Sequence, residues 1–242
     1  MKRLLFLFVA LVLTICGNRA ASAADLLSNG NLDQTYQQEI VPGLFLPKPD
    51  LWVNVGSRSI GGPYEDELSS EPWAGVAPTP ETVGDQGVFF KAFTGSVANG
   101  PATAHLYQDV PATPGVTYML SGWAGAEANY LATRSLFAID FLDSGNSVIG
   151  STEVDLAGLF VDNGLSFDYK QYTVTATAPA NTANVRARVS MIDGISNPAG
   201  GGQAFVVDDF QLTVVPEPTT VALGLMGLLG LLVVRARKGG SR

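Results

Sequence analysis

The chain has 242 residues, 14 Lys and Arg against 22 Asp and Glu, a formal charge of −8, one histidine and one cysteine. An acidic chain is a poor partner for nucleic acid or anionic lipid, whose affinity comes from neutralising phosphates with Lys and Arg. One thiol excludes an internal disulfide framework, and neither His-Glu-x-x-His nor Gly-x-Ser-x-Gly occurs, so the metalloprotease and serine-hydrolase readings lack their parts.

In chain order, Lys2 and Arg3 precede the apolar run from Leu4 to Ile15, and Ala21-Ser22-Ala23 has the small-x-small form of a signal peptidase site. Residues 1–23 therefore read as a signal peptide, with cleavage after Ala23 leaving Ala24 as the first mature residue. Cys16 falls inside the leader, and Thr14-Ile15 before it is not the small pair that a lipidation site needs. Residues 24–215 form one prospective domain, long enough for a substantial core. Its seven Lys and Arg against twenty-one Asp and Glu give it a formal charge of −14, which the basic ends of the chain mask. Such a charge suits calcium, uncharged sugars or simple solubility.

Period-two alternation runs through this domain. It occurs at Val116, Tyr118 and Leu120, at Phe137, Ile139 and Phe141, at Tyr172, Val174 and Ala176, at Val185, Ala187 and Val189, and at Phe210, Leu212 and Val214. Asp143-Ser144-Gly145-Asn146 reads as the turn of a hairpin between 137–142 and 147–154. Only Ala124 to Ala132 suggests a short helix. Pro42, Pro47, Pro49, Pro63, Pro72, Pro78 and Pro80 make the stretch from Gly43 to Gly87 read as long, irregular connection. That stretch holds Trp52, Tyr64, Trp73 and the run Glu65-Asp66-Glu67. Aromatic faces stack on the C–H face of sugar rings while carboxylates accept hydrogen bonds from their hydroxyls, so Tyr64 and Trp73 are the candidate ligand contacts. Trp52 and Trp123, set among apolar or small residues, read as core. The sum is an all-β fold, an antiparallel jelly-roll sandwich.

The end of the chain has a different grammar. Val215-Pro216-Glu217-Pro218 leads into the uncharged stretch 219–234, which is followed by Arg235, Arg237 and Lys238. As a helix that stretch would be roughly 24 Å long. It predicts a short single transmembrane helix with its basic end in the cytoplasm and the domain outside.

These last residues, 216–242, resemble the PEP-CTERM sorting signal, in which a Pro-Glu-Pro motif, a transmembrane helix and a basic cluster follow in order. The resemblance implies an exported protein of the cell envelope, surface or extracellular matrix, anchored in the inner membrane for a time and processed by an exosortase. Val215 to Pro218 and the basic residues would then be recognition elements. The prolines would keep the motif extended in front of the helix.

A second resemblance covers most of residues 25–214. Leu26-Leu27-Ser28-Asn29-Gly30-Asn31-Leu32-Asp33 and Phe205-Val206-Val207-Asp208-Asp209-Phe210-Gln211-Leu212 are similar to the first and last strands of carbohydrate-binding modules with a galactose-binding-like jelly roll. The segments around Leu106 to Val110, Pro114 to Tyr118 and Gly122 to Ala124 are similar to middle strands. The resemblance implies polysaccharide as a partner and a structural calcium held by Asp33 and Asp208, with Asp209 as the other candidate. Alternation places Asp208 on the inward face of Phe210 and Leu212 unless a bulge intervenes. There a hard cation, a backbone turn or an arginine would each offset its burial. The expectation is a non-enzymatic surface or matrix protein that binds polysaccharide. The alternatives are a secreted glycan-degrading enzyme, since paired carboxylates remain available among so many acids, and a structural surface protein without a soluble ligand.

Overall fold

The computed structural model describes residues 24–58, 67–75, 85–92, 100–156, 158, 160 and 166–216. The signal peptide with Ala21 and Ala23, Tyr64, and the tail from Glu217 through Pro218, Arg235, Arg237 and Lys238 lie outside the described residues. So does the expected span 219–234. Among the described residues no helix is long and apolar enough to cross a membrane.

Twelve strands are described: β1 (Thr35–Val41), β2 (Leu44–Pro49), β3 (Val53–Arg58), β4 (Leu68–Glu71), β5 (Gly87–Phe90), β6 (Ala102–Pro111), β7 (Thr117–Ala126), β8 (Arg134–Leu142), β9 (Val148–Asp155), β10 (Lys170–Thr177), β11 (Asn184–Gly194) and β12 (Phe205–Val214). One sheet runs β10-β7-β12-β5-β4 and the other β3-β6-β11-β8-β9, while β1 and β2 form a separate hairpin. Every pairing is antiparallel. The two five-stranded sheets face each other as an all-β jelly-roll sandwich.

Alternation builds the core. Tyr118, Leu120, Val174, Phe205, Val207 and Leu212 of the first sheet meet Ala104, Leu106, Phe137, Ile139, Val185 and Val189 of the second, all of them buried. Trp52 joins them as expected, 5.5 Å centroid to centroid from Phe210, with its indole N–H donated to the Asn29 carbonyl at 2.9 Å. The hairpin turn is also where it was read. Asp143 Oδ1 accepts the backbone N–H groups of Gly145 and Ser147 at 2.8 and 2.9 Å, and Asn146 takes φ 62°, a left-handed value that Asn tolerates.

Three expectations are corrected. Ala124 to Ala132 does not form a helix, because β7 continues to Ala126 with β10 and β12 hydrogen-bonded on either side. The stretch 43–87 is not wholly irregular, since it holds β2, β3 and β4. Pro47 and Pro49 are accommodated because β2 pairs on one side only, with β1. The N-terminal segment is no regular strand, yet it lies along β12 beyond the point where β5 stops at Val207. Leu26 N–H donates to the Leu212 carbonyl and Phe210 N–H to the Gly30 carbonyl, both at 2.8 Å. Leu27 and Leu32 plug the core from it.

Candidate functional site

The outer face of the first sheet carries a second, smaller core. Ala74, Phe89, Tyr169, Ala204 and Val206 are buried there, with Trp123 and Phe167 packed against them. Trp123 thus serves this cluster and not the sandwich interior. Two loops make the cover. The 3-10 turn Pro72–Ala74 brings Trp73, and the segment before β10 brings Phe167 and Tyr169. The hydroxyl of Tyr169 donates to the Ala74 carbonyl and ties the loops together. Phe167 and Asp168 both adopt left-handed backbone conformations, at φ 56° and 53°, which cost energy for residues with a Cβ and persist only where packing enforces them. At Gly125 a Cβ would overlap the Phe167 carbonyl oxygen, so this glycine lets the loop lie against β7.

Trp73 stands on this base, 5.0 Å from Phe89 and 5.8 Å from Phe167 centroid to centroid, and remains 45% exposed. Beside it opens a concavity of about 330 Å³ lined by Trp73, Phe89, Lys91, Glu127, Gly201, Gly202 and Ala204. Glu127 is held in place by the Ala204 N–H, donated to its Oε2 at 2.7 Å. A Cβ at Gly202 would collide with the same carboxylate. An open aromatic face, a positioned carboxylate and an ammonium-bearing side chain around one hollow can stack on a ring and hydrogen-bond its hydroxyls.

The outer face of the second sheet holds another hollow, of about 360 Å³, with different chemistry. Arg188 grips Asp140 with Nε at 2.7 Å and Nη2 at 3.1 Å, and Ser151 donates to the same carboxylate at 2.6 Å. Burial pushes the Asp140 carboxyl up, but the hydrogen bonds from Arg188 and Ser151 and the charges of Arg188 and Arg186 outweigh it and hold the group below the usual carboxylate value. Arg186 is bidentate to Asp109, at 2.6 and 2.8 Å, and lies 3.7 Å above the centre of the Tyr107 ring. His105 Nδ1 is 2.7 Å from Ser190 Oγ. Arg188 Nη1 donates to that oxygen at 2.9 Å. Burial first, then the Arg188 charge, lower the His105 pKa. Ser190 is fully buried, so this pair does not offer a nucleophile to a substrate.

The calcium candidates separate. Between Asp208 and Gln211 the register with β7 shifts, and Asp209 takes φ 49°. This bulge changes the phase of β12, so Asp208 is not inward with Phe210 as alternation suggested. It sits opposite Trp123, wholly buried, with its Oδ1 accepting the Asp209 N–H at 2.7 Å. Asp209 instead meets Asp33: burial, then the Asp33 charge, raise its pKa. Asp33 Oδ1 accepts the Gln86 N–H at 2.9 Å, and the preceding residue, Asp85, has a buried Oδ2 without a hydrogen-bond partner. Among the described residues no three His, Cys, Asp or Glu side chains converge into a metal cluster. The place of Glu127 beside Trp73 was missed in the sequence, where nothing marks it among twenty-one acids.

Residues 214–238 match the PEP-CTERM protein-sorting motif. The motif makes this an exported protein of the cell envelope and surface and a substrate for exosortase processing. No curated protein matches the chain by sequence. Among solved structures it is similar to the enzymatically active domain of tailspike protein 4 from bacteriophage CBA120, at 12% identity and a TM-score of 0.49, over 79% of this chain and 21% of that one. The chain thus spans about a fifth of the length of that domain's chain. It is also similar to the carbohydrate-binding module TmCBM61, solved with β-1,4-galactotriose, at 17% identity and a TM-score of 0.44, over 80% of this chain and all of the module. A family 4 carbohydrate-binding module gives 15% identity and a TM-score of 0.42, over 78% and 99% of the two chains.

Proposed function

We propose that this protein binds an uncharged polysaccharide at the cell surface without transforming it, through the hollow at Trp73. The observation that carries the reading is the tryptophan face held open to solvent on Phe89 and Phe167 beside the fixed carboxylate of Glu127. The stretch 219–234 anchors the exported chain in the inner membrane until processing releases or transfers it. Signal peptidase acts first, before Ala24.

A calcium ion fits between Asp33 and Asp209 as a structural element. The Asp33 charge felt by Asp209 supports it, and with two side-chain carboxylates the remaining oxygen ligands would be backbone carbonyls. The ion would tie the N-terminal segment to the bulge of β12.

Polysaccharide pull-down and glycan-array binding test the reading. Binding that survives in wild type and is lost in Trp73→Ala is the expected result. Release of reducing ends would make the protein an enzyme, and silence in both assays would leave it a structural surface protein. EDTA is expected to lower the unfolding temperature, and an unchanged temperature would remove calcium from the account.

A further inference from the structure

We infer that the end of the sandwich next to the tail is a membrane-seating surface, resting on the headgroups of the bilayer that the tail enters. The inference rests on the anchor reading above. The last strand leaves almost no slack: Val215 N–H still bonds the Thr117 carbonyl at 2.8 Å, and the apolar stretch begins at Thr219. Four residues span at most about 14 Å. The headgroup layer on each side of the hydrocarbon core is itself about 5–8 Å deep. The end of the domain therefore cannot stand clear of the surface.

That end is chemically unlike the rest of the domain. It is built from the connections 112–116, 143–147 and 178–183, which join β6 to β7, β8 to β9 and β10 to β11. Backbone bonds unite them, Ala112 to Ala183, Gly115 to Ala178 and Ala183 to Leu142. In a domain of charge −14 these connections hold one ionisable side chain, Asp143, whose Oδ1 is already engaged by two backbone N–H groups. Around them Val148, Ile149 and Val214 are 55%, 38% and 38% exposed, and Pro111 and Pro114 are exposed as well. Among the described residues the connections at the opposite end carry Glu67, Glu127 and Asp168 against Lys91. The end next to the tail has the carboxylates of Asp143 and, beside Leu212, Asp25, each already accepting backbone N–H groups, and it can press valine and isoleucine side chains into the interface.

The seating holds Trp73 away from the membrane. Trp73 and Glu127 lie beside Ala204 and Gly202 at the start of β12, whereas the tail leaves from its end. A seated domain faces its hollow outward.

The full chain carrying Cys16→Ser, with a single thiol introduced by Ser144→Cys or by Ala128→Cys and a fluorophore on it, tests this in phosphatidylcholine–phosphatidylglycerol vesicles containing a headgroup-linked quencher. The label at 144 is expected to be quenched and the label at 128 spared. The difference should persist when a flexible Gly/Ser insertion follows Val215, and vanish in Val148→Glu/Ile149→Glu. Equal quenching of the two labels, or loss of the difference on insertion alone, overturns the inference, including the case in which this end docks only on the processing enzyme. A chain that does not co-float with the vesicles overturns the anchor reading and the seating with it. Should the double variant lose cooperative unfolding, Val214→Glu is read in its place, with the same expected loss.

Discussion

The two outer faces of this sandwich carry hollows of similar size and opposite character. On the first sheet an aromatic ring is lifted into solvent by other aromatics. On the second, the phenol ring of Tyr107 lies under a guanidinium, and the arginines that line the hollow are each engaged by an aspartate. Titratable groups in a hollow do not by themselves make a binding site. What matters is which groups still have an open valence after the protein has satisfied its own, because a buried polar group is paired first with the chain.

The comparison is broken most forcefully at Arg188. Arg188→Ala leaves the buried Asp140 carboxylate without its bidentate partner and is expected to cost about 3 kcal/mol in chemical denaturation, with polysaccharide affinity per folded molecule unchanged. The paired change Arg188→Met with Asp140→Leu removes both charges and should return stability to within about 1 kcal/mol of wild type. A cost for Arg188→Ala well below 1 kcal/mol would mean that water already screens the pair.

Next in size is the other face. Trp73→Ala should lower affinity at least about tenfold and remove about 2 kcal/mol of stability, because half of the ring is buried on Phe89 and Phe167. Tyr107→Ala, by contrast, should leave affinity alone. If calorimetric titration finds the reverse, the ligand lies on the second sheet.

Tyr169→Phe sharpens the point at a distance. It leaves the Ala74 carbonyl without its donor and is expected to cost about 1 kcal/mol. It should also weaken binding, since Tyr169 fixes the turn that presents Trp73. Unchanged affinity would show that the platform holds without this tie.

The smallest effect is one of pH. Burial and Arg188 keep the folded His105 pKa below its ordinary 6.5, so the unfolded chain takes up a proton more readily than the folded one. Stability should therefore decline as pH falls below 6.5 and level off under the folded value, and His105→Gln should flatten that window. Asp140 acts lower down: its depressed pKa gives stability that is present above the ordinary carboxylate value, 3.8, and lost as pH falls through the folded one. Melting curves from pH 8 to 3 separate the two.

Much of the fold was legible. The runs at Val116, Phe137, Tyr172, Val185 and Phe210 became β7, β8, β10, β11 and β12, and the Asp143 turn closed the hairpin. Alternation is a local consequence of strand geometry and survives wherever one face is buried. The prolines of β2 misled because tolerance for proline depends on how many neighbours a strand has, which no local window contains. Trp73 stood out as a candidate contact from its Pro, Gly and acidic surroundings, while Trp123 was misplaced because strand residues buried on the outer face look like core.

By itself, the sequence determined the route and the layering: a sorting motif at 214–238, a chain whose single cysteine allows no internal disulfide, and strands with one apolar face. These depend on contiguous residues, whose order alone sets hydrophobic length, charge and period. Tertiary structure decided which of those residues have chemistry left to offer. It put Glu127 beside Trp73, sealed Tyr107 under Arg186, and let one extra residue in β12 turn Asp208 away while bringing Asp209 to Asp33. Each of these joins distant segments, so its energy exists only once the sheets have closed.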